Sequence, residues 1–188
     1  MKRNELSRRF FGLGVLAGAG LLAACNNGVG STGASTIDAR VDATLNEMYN
    51  QYPNTRDIGD KANGILVMPL VTEAGFGIGG AYGRGALRIE DSTVDYYSLT
   101  EGSWGFQAGA QQYAHVLFFM TEEALNSFRS SPGWAVGADI EYVISDVGEG
   151  AAANTSTALT PVVAAVFGRA GLFAGASLAG NKYTRIIP

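Results

Sequence analysis

Gly-Phe-Gly-Ile-Gly-Gly at 75–80 returns in the same form three times along the chain. The later copies are Gly-Phe-Gln-Ala-Gly-Ala at 105–110, Gly-Trp-Ala-Val-Gly-Ala at 133–138 and Gly-Leu-Phe-Ala-Gly-Ala at 171–176. Each is a glycine, a large apolar residue, any residue, a small or branched apolar residue, a second glycine, then Ala or Gly. Strand side chains alternate between faces. One face of each segment therefore tapers from large to tiny: Phe76-Ile78-Gly80, Phe106-Ala108-Ala110, Trp134-Val136-Ala138, Leu172-Ala174-Ala176. Such a taper suits strands crossing in a strongly curved sheet, with one end of that face crowded. The opposite face is glycine at both marked positions, which permits bulges, bends and close approach of another backbone. The spacings of 30, 28 and 38 residues are too uneven for a solenoid. The pattern predicts four similar strands in a twisted antiparallel sheet or partial barrel. Glycine supplies 26 of 188 residues, about twice the usual share, and only 5 prolines argue against disorder.

The rest of the chain places this sheet in an α+β fold. Ile37, Val41, Leu45, Met48 and Tyr52 recur at helical intervals, with Asp38, Arg40, Asp42 and Glu47 between them, and Pro53 follows. They predict an N-terminal amphipathic helix over 37–52. Two short helices are expected, one over 57–63 and one after Thr121. Thr121 is an N-cap residue type, Glu122 and Glu123 suit the first turn, and Ser131-Pro132-Gly133 stops the helix. Further strands are expected at 64–69, 94–99, 115–120, 140–144, 162–167 and 183–187. Residues 37–188 form one domain by this reading, 152 residues long and ample for a single core.

The N-terminus reads as an address. Lys2, Arg3, Arg8 and Arg9 precede the apolar, glycine-interrupted stretch from Phe10 to Ala24. That stretch is short of the roughly 20 residues a spanning helix needs and suits the core of a signal peptide. Arg8-Arg9 followed by Phe10-Phe11 looks like a twin-arginine export signal. Leu22-Ala23-Ala24-Cys25 looks like a lipobox, in which Cys25 carries acyl chains such as palmitate and begins the mature chain. Residues 1–24 are then a cleaved signal and 25–36 a lipidated cysteine with a Gly/Ser-rich tether. In the bacterial lipoproteins that this pattern resembles, a residue such as Asn26 after the cysteine favours the outer membrane, facing the periplasm. Cys25 is the single cysteine, so the chain has no internal disulfide. Cleavage removes four cations and Glu5, leaving 9 basic against 16 acidic residues, a net charge of about −7. That balance argues against nucleic acid as a partner and weakens attraction to anionic lipid.

Chemistry is sparse. Gly75 to Gly80 fits the spacing of a dinucleotide-binding loop, but no helical period follows it. A glycine-rich strand is the plainer account. His115 is the single histidine, preceding Val-Leu-Phe-Phe-Met, and is expected to be half-buried on a strand. A hydrolase would have to use His115, or Asp139 and Glu141, as its acid–base groups. No metal site and no cofactor is expected. The cations Arg84, Arg88, Lys182 and Arg185 are candidate contacts to lipid headgroups or to the acids of a protein partner. Arg84 and Arg88 share one strand face.

Ala62-Asn-Gly-Ile-Leu-Val-Met-Pro69, Ala74 to Gly83, Gly85-Ala-Leu87, Gly109-Ala-Gln111 and Gly171 to Ile186 together resemble the SYLF domain, over essentially all of 37–188. The family includes eukaryotic regulators of actin that bind phosphoinositides, and bacterial envelope lipoproteins. The resemblance implies a non-enzymatic, lipid-binding domain with phospholipid as its candidate ligand. Eukaryotic members bind lipid through a basic N-terminal segment, whereas the matching helix here carries Arg40 against Asp38, Asp42 and Glu47. The first expectation is a lipid-anchored, non-catalytic envelope protein. A structural or protein-interaction module of the envelope is the alternative, and a hydrolase the third.

Overall fold

A computed structural model describes residues 31–136, 140–145, 160–171, 178 and 180–188. Arg8, Arg9, Cys25 and Asp139 lie outside the described residues. Two helices come first, α1 (Gly33–Gln51) and α2 (Asn54–Gly59). They are followed by β1 (Gly64–Ile89), β2 (Ser92–Phe119) and α3 (Glu122–Ser130). The remaining strands are β3 (Trp134–Ala135), β4 (Ile140–Ser145), β5 (Val162–Gly171) and β6 (Lys182–Ile186).

The sheet is organised around β2. One edge of β2 pairs with β1 along nearly its whole length, from Ile89↔Ser92 to Gly64↔Phe119. The other edge takes two partners end to end. β6 lies along Tyr96–Thr100 and β5 along Gln111–Phe119, both antiparallel. β3 extends the sheet beyond β6. β4 extends it beyond β5 and is parallel to it, a departure from the purely antiparallel expectation.

The short strands expected at 64–69, 94–99 and 115–120 are parts of two long ones, because the glycine segments between them continue the pairing. Gly75 faces Gly109 and Gly77 faces Gly105, so the first two copies of the motif are neighbours in the hairpin. Pro69 sits in a register shift between Met68 and Val71, where a missing N–H interrupts no ladder bond. A second shift follows Phe76.

These irregularities curl the hairpin back on itself. A side chain at Gly75 would stand 2.7 Å from the Gly79 Cα, although four extended residues span roughly 13 Å. A Cβ on Gly85 would clash with the Val67 carbonyl oxygen. The two halves of β1 thus return against each other, and glycine is required where they touch. Of the other copies of the motif, 133–138 contributes the two-residue β3. Only Gly171 of the fourth is described in a strand.

Two cores follow from strand alternation. Leu66, Met68, Leu87, Leu99, Leu117, Phe119, Ala164 and Val166 face the inside of the curl, where Leu125 and Phe128 of α3 pack on them. Val67, Ala86, Val116, Phe118, Val163, Ala165 and Phe167 face outward under Ile37, Val41 and Met48 of α1 and Ile58 of α2. Burial on both faces accounts for the unbroken apolar runs Val-Leu-Phe-Phe at 116–119 and Val-Val-Ala-Ala-Val-Phe at 162–167.

Helix ends differ modestly from expectation. α1 begins at Gly33, a turn before Ile37. α2 is shorter and earlier than 57–63. Thr121 caps α3 as expected, its side chain accepting from the Ala124 N–H at 3.2 Å. No described helix is long and apolar enough to cross a membrane, which says nothing of strands.

Candidate functional site

The outer face of β1 changes character along its second half. Ala86 lies fully buried under α1, whereas Tyr82 is 54% and Ile78 65% exposed on the same face. Arg84 stands between Ala86 and Tyr82, half-buried. The helix covers only the end of this face near the β1–β2 turn, so the glycine-rich end presents a strip of Ile78, Tyr82 and Arg84. On β2, Ile78 pairs with Trp104, and the partners beyond it are small or polar: Gly102 across from Gly80, Thr100 from Tyr82, Ser98 from Arg84. This corrects the expected direction of the taper. Ile78 and Gly80 lie on the open outer face, and the crowding falls on the inner face at Gly83 and Gly85.

Inside the curl, polarity rises toward the same end. The inward row of β2 reads Phe119, Leu117, His115, Tyr113, Gln111. That of its first half reads Tyr97, Leu99, Glu101. Gln111 Nε2 donates to Glu73 Oε2 at 2.6 Å. Burial, then the nearby Glu73 carboxylate, raises the Glu101 carboxyl above its ordinary range.

His115 is fully buried, not half-buried as expected, because it points into the curl between apolar neighbours. Its Nε2 is hydrogen-bonded to the Tyr183 hydroxyl at 2.8 Å, and its Nδ1 finds no partner among the described residues. Burial pushes the imidazole down to about 3 from 6.5, so the ring is neutral at physiological pH. No Ser-His-Asp arrangement forms around it among the described residues. Glu141 lies on β4, an edge strand.

The four candidate cations are not brought together. Arg88 shares the outer face with Arg84 but turns to α1, bonding the Asp42 carboxylate and the Asp91 carbonyl. Arg185 donates to the Arg129 carbonyl at 3.0 Å, and both guanidiniums approach Asp95 at 3.4 Å. Lys182 is exposed and lies across Gly133. Arg84 lies beside exposed Ile78 and Tyr82 on the outer face of β1.

A second exposed apolar pair, Val94 and Ile187, lies where β2 begins and β6 ends. Close by, Ser31 Oγ donates to the Pro188 carbonyl at 2.9 Å. Sequence reasoning missed Ile78, Tyr82 and Ile187. Alternation put Ile78 on one face with Gly80, and extending it reaches Tyr82, but the limited reach of α1 over that face is a tertiary fact.

Among the described residues, no group of three or more His, Cys, Asp or Glu side chains is placed to hold a metal. Compared with known families, residues 100–185 match Ysc84, described as Las17-binding protein actin regulator, which is the SYLF domain. The match runs from Thr100 within β2 to Arg185 within β6, and includes Gly109-Ala-Gln111 and most of the Gly171–Ile186 segment, whereas the expected resemblance at 62–87 lies outside it. No curated protein matches the chain.

Proposed function

From the premise that this chain carries a Ysc84-family (SYLF) domain, we propose that it is a non-catalytic lipid-binding module, held at an envelope membrane through acylated Cys25. The strip of Ile78, Tyr82 and Arg84 carries the reading. An exposed aliphatic, an aromatic with a polar tip and a cation in order along one strand suit the acyl boundary, the interface and the headgroup layer. Phospholipid is the ligand of this reading, with no cofactor and no nucleic acid. Export through Arg8-Arg9 and an outer-membrane location belong to the same proposal. Ser31 marks where the tether would enter the domain, beside exposed Ile187 and Val94. A short tether raises the effective concentration of any weak lipid contact.

Vesicle flotation of the full chain bearing Cys25→Ala tests the lipid contact apart from the anchor. The expected result is partition onto phospholipid vesicles, reduced at least tenfold by Ile78→Ser with Tyr82→Ser. Burying each side chain is worth about 1.5–3 kcal/mol, more than one decade apiece. Equal flotation of the double variant, or no binding to any bacterial phospholipid, removes the reading. A protein-interaction module of the envelope is the second reading, favoured by the matched family's being Las17-binding proteins.

A further inference from the structure

A polar layer crosses the inside of the curl, one step beyond the bond between His115 and Tyr183. The fold that brings Gly75 against Gly79 and Gly83 against Val71 sets Glu73 opposite Ala81. Ala81 pairs with Glu101 on β2, and Glu73 pairs with Gln111. The β2–β6 register reaches Thr100↔Lys182, and its next step sets Asn181 across from Glu101, on the inner face with Tyr183. Glu73, Glu101, Gln111 and Asn181 therefore meet at one level of the curl. The two glutamates are partly exposed there, whereas Gln111 is 3% and Asn181 0% exposed. Neither glutamate has an ion-pair partner among the described residues. Lys182, next to Asn181, projects from the opposite face, and His115, one step deeper, is neutral.

Asn181 is the anomaly of this layer. Its backbone is engaged on both sides, its N–H donating to the Leu178 carbonyl and its carbonyl accepting from the Val136 N–H, each at 3.1 Å. Its carboxamide is buried, with neither Oδ1 nor Nδ2 hydrogen-bonded among the described residues. An amide left in that state costs about 1–3 kcal/mol, and such a group points to an ion or water that engages it. Gln111 donates its Nε2 to Glu73 at 2.6 Å and keeps Oε1 as an acceptor.

We propose that this layer binds a divalent cation of the size of calcium, held by the carboxylates of Glu73 and Glu101 and the amide oxygens of Asn181 and Gln111. Oxygen donors of this kind are the ligands of hard cations. Two carboxylates balance the charge of the ion, and the ion relieves the repulsion by which Glu73 disfavours a charged Glu101. Asn181 Nδ2 is left to donate to a carboxylate oxygen turned away from the ion. Calcium takes six to eight oxygens in flexible geometry, so waters at the open mouth of the curl complete its shell. Magnesium demands a strict octahedron, which amides on separate strands suit less well. Half of the protein donors are amides from distant parts of the chain, so the sequence carries no metal motif. The layer lies inside the curl and the Ile78 strip outside it, so the ion site does not rest on the lipid contact.

Calorimetric titration of the full chain bearing Cys25→Ala, stripped of metal by chelation, with calcium chloride tests the proposal, and magnesium chloride is the control. One ion per chain is expected, with Kd below about 1 mM, the weak limit of extracellular calcium modules, and magnesium about tenfold weaker or more. Calcium should also raise the urea midpoint. Glu101→Gln, which keeps the shape of the side chain, and Asn181→Leu should each weaken calcium about tenfold or more. Should Asn181→Leu fail to fold, Glu101→Gln decides alone, its urea midpoint in chelator reporting that the fold is intact. No heat and no midpoint shift at about 10 mM calcium, equal binding of magnesium, or unchanged affinity in Glu101→Gln overturns the proposal. The Ile78→Ser, Tyr82→Ser double variant should bind calcium as its parent does, so the lipid reading and the ion site can each fail alone.

Discussion

At the scale of the residue, His115 has the clearest physical consequence. Its ring is held neutral by burial, with a folded-state value near 3 against 6.5 when unfolded. Below pH 6.5 the unfolded chain binds a proton that the folded chain refuses. Stability is therefore fully present above pH 6.5 and declines as pH falls toward 3, by an amount on the order of 5 kcal/mol in all. Urea midpoints at pH 7, 5 and 4 should fall less steeply for His115→Gln, which keeps a partner for Tyr183 but does not titrate. Equal slopes for both proteins would discard this account. Glu101 has the opposite sign. Its raised folded-state value disfavours the charged form, so Glu101→Gln should raise the urea midpoint at pH 7, with the gain vanishing in acid. Glu90 is the one described non-glycine residue with positive φ, at 52° in the β1–β2 turn. Glycine removes that steric penalty, so Glu90→Gly should stabilise the fold by about 0.5–1 kcal/mol by urea unfolding. The sequence shows where His115 and the arginines sit but not how they are engaged. Asp42 lies 46 residues from Arg88, and Tyr183 lies 68 from His115, so each pairing exists only through the curl.

At the scale of the element, the glycines divide into two kinds that composition cannot separate. Gly85 faces the Val67 carbonyl, and Gly102 has open space around it. Gly85→Ala should therefore cost more than about 3 kcal/mol, since the obstacle is backbone and cannot change rotamer. Gly102→Ala should lie within about 0.5 kcal/mol of the parent. Thermal or urea unfolding of the two variants side by side decides the point, and similar losses would refute it. The same glycines explain which part of the fold was legible. The apolar runs at 64–69, 115–120 and 162–167 marked strands, and the helical period of Ile37 to Tyr52 marked α1. The breaks inferred between strands were wrong because glycine and Pro69 are punctuation in most sequences. Here they sit at bulges inside continuous strands, where the ladder tolerates an extra residue or a missing donor. Thr121 was legible because its cap is local, one hydroxyl and an N–H three residues on.

At the scale of the whole molecule, the two ends of the long hairpin present different surfaces. One end offers Ile78 and Tyr82, the other a cleft beside α1 rimmed by Asp60, Glu90, Asp91 and Glu122. Neither surface was read from the sequence. Each is defined by what α1 leaves uncovered, and the extent of a helix's cover depends on packing angle as well as periodicity. If Cys25 is the anchor, Cys25→Ala should move the protein from the membrane to the soluble fraction of fractionated cells. Retention in the membrane would argue for a different attachment. The pairing of β2 also has a consequence in time. Its first half lies between β1, which precedes it, and β6 at 182–186, the last of the described strands. Tyr183 from β6 packs against Phe128 and Trp134 as well as His115. A chain still being synthesised therefore has its central strand in hand long before that strand's second neighbour leaves the ribosome. Chains truncated after residue 181 should remain protease-sensitive, and resistance should appear once residues 182–186 are present to pair with β2.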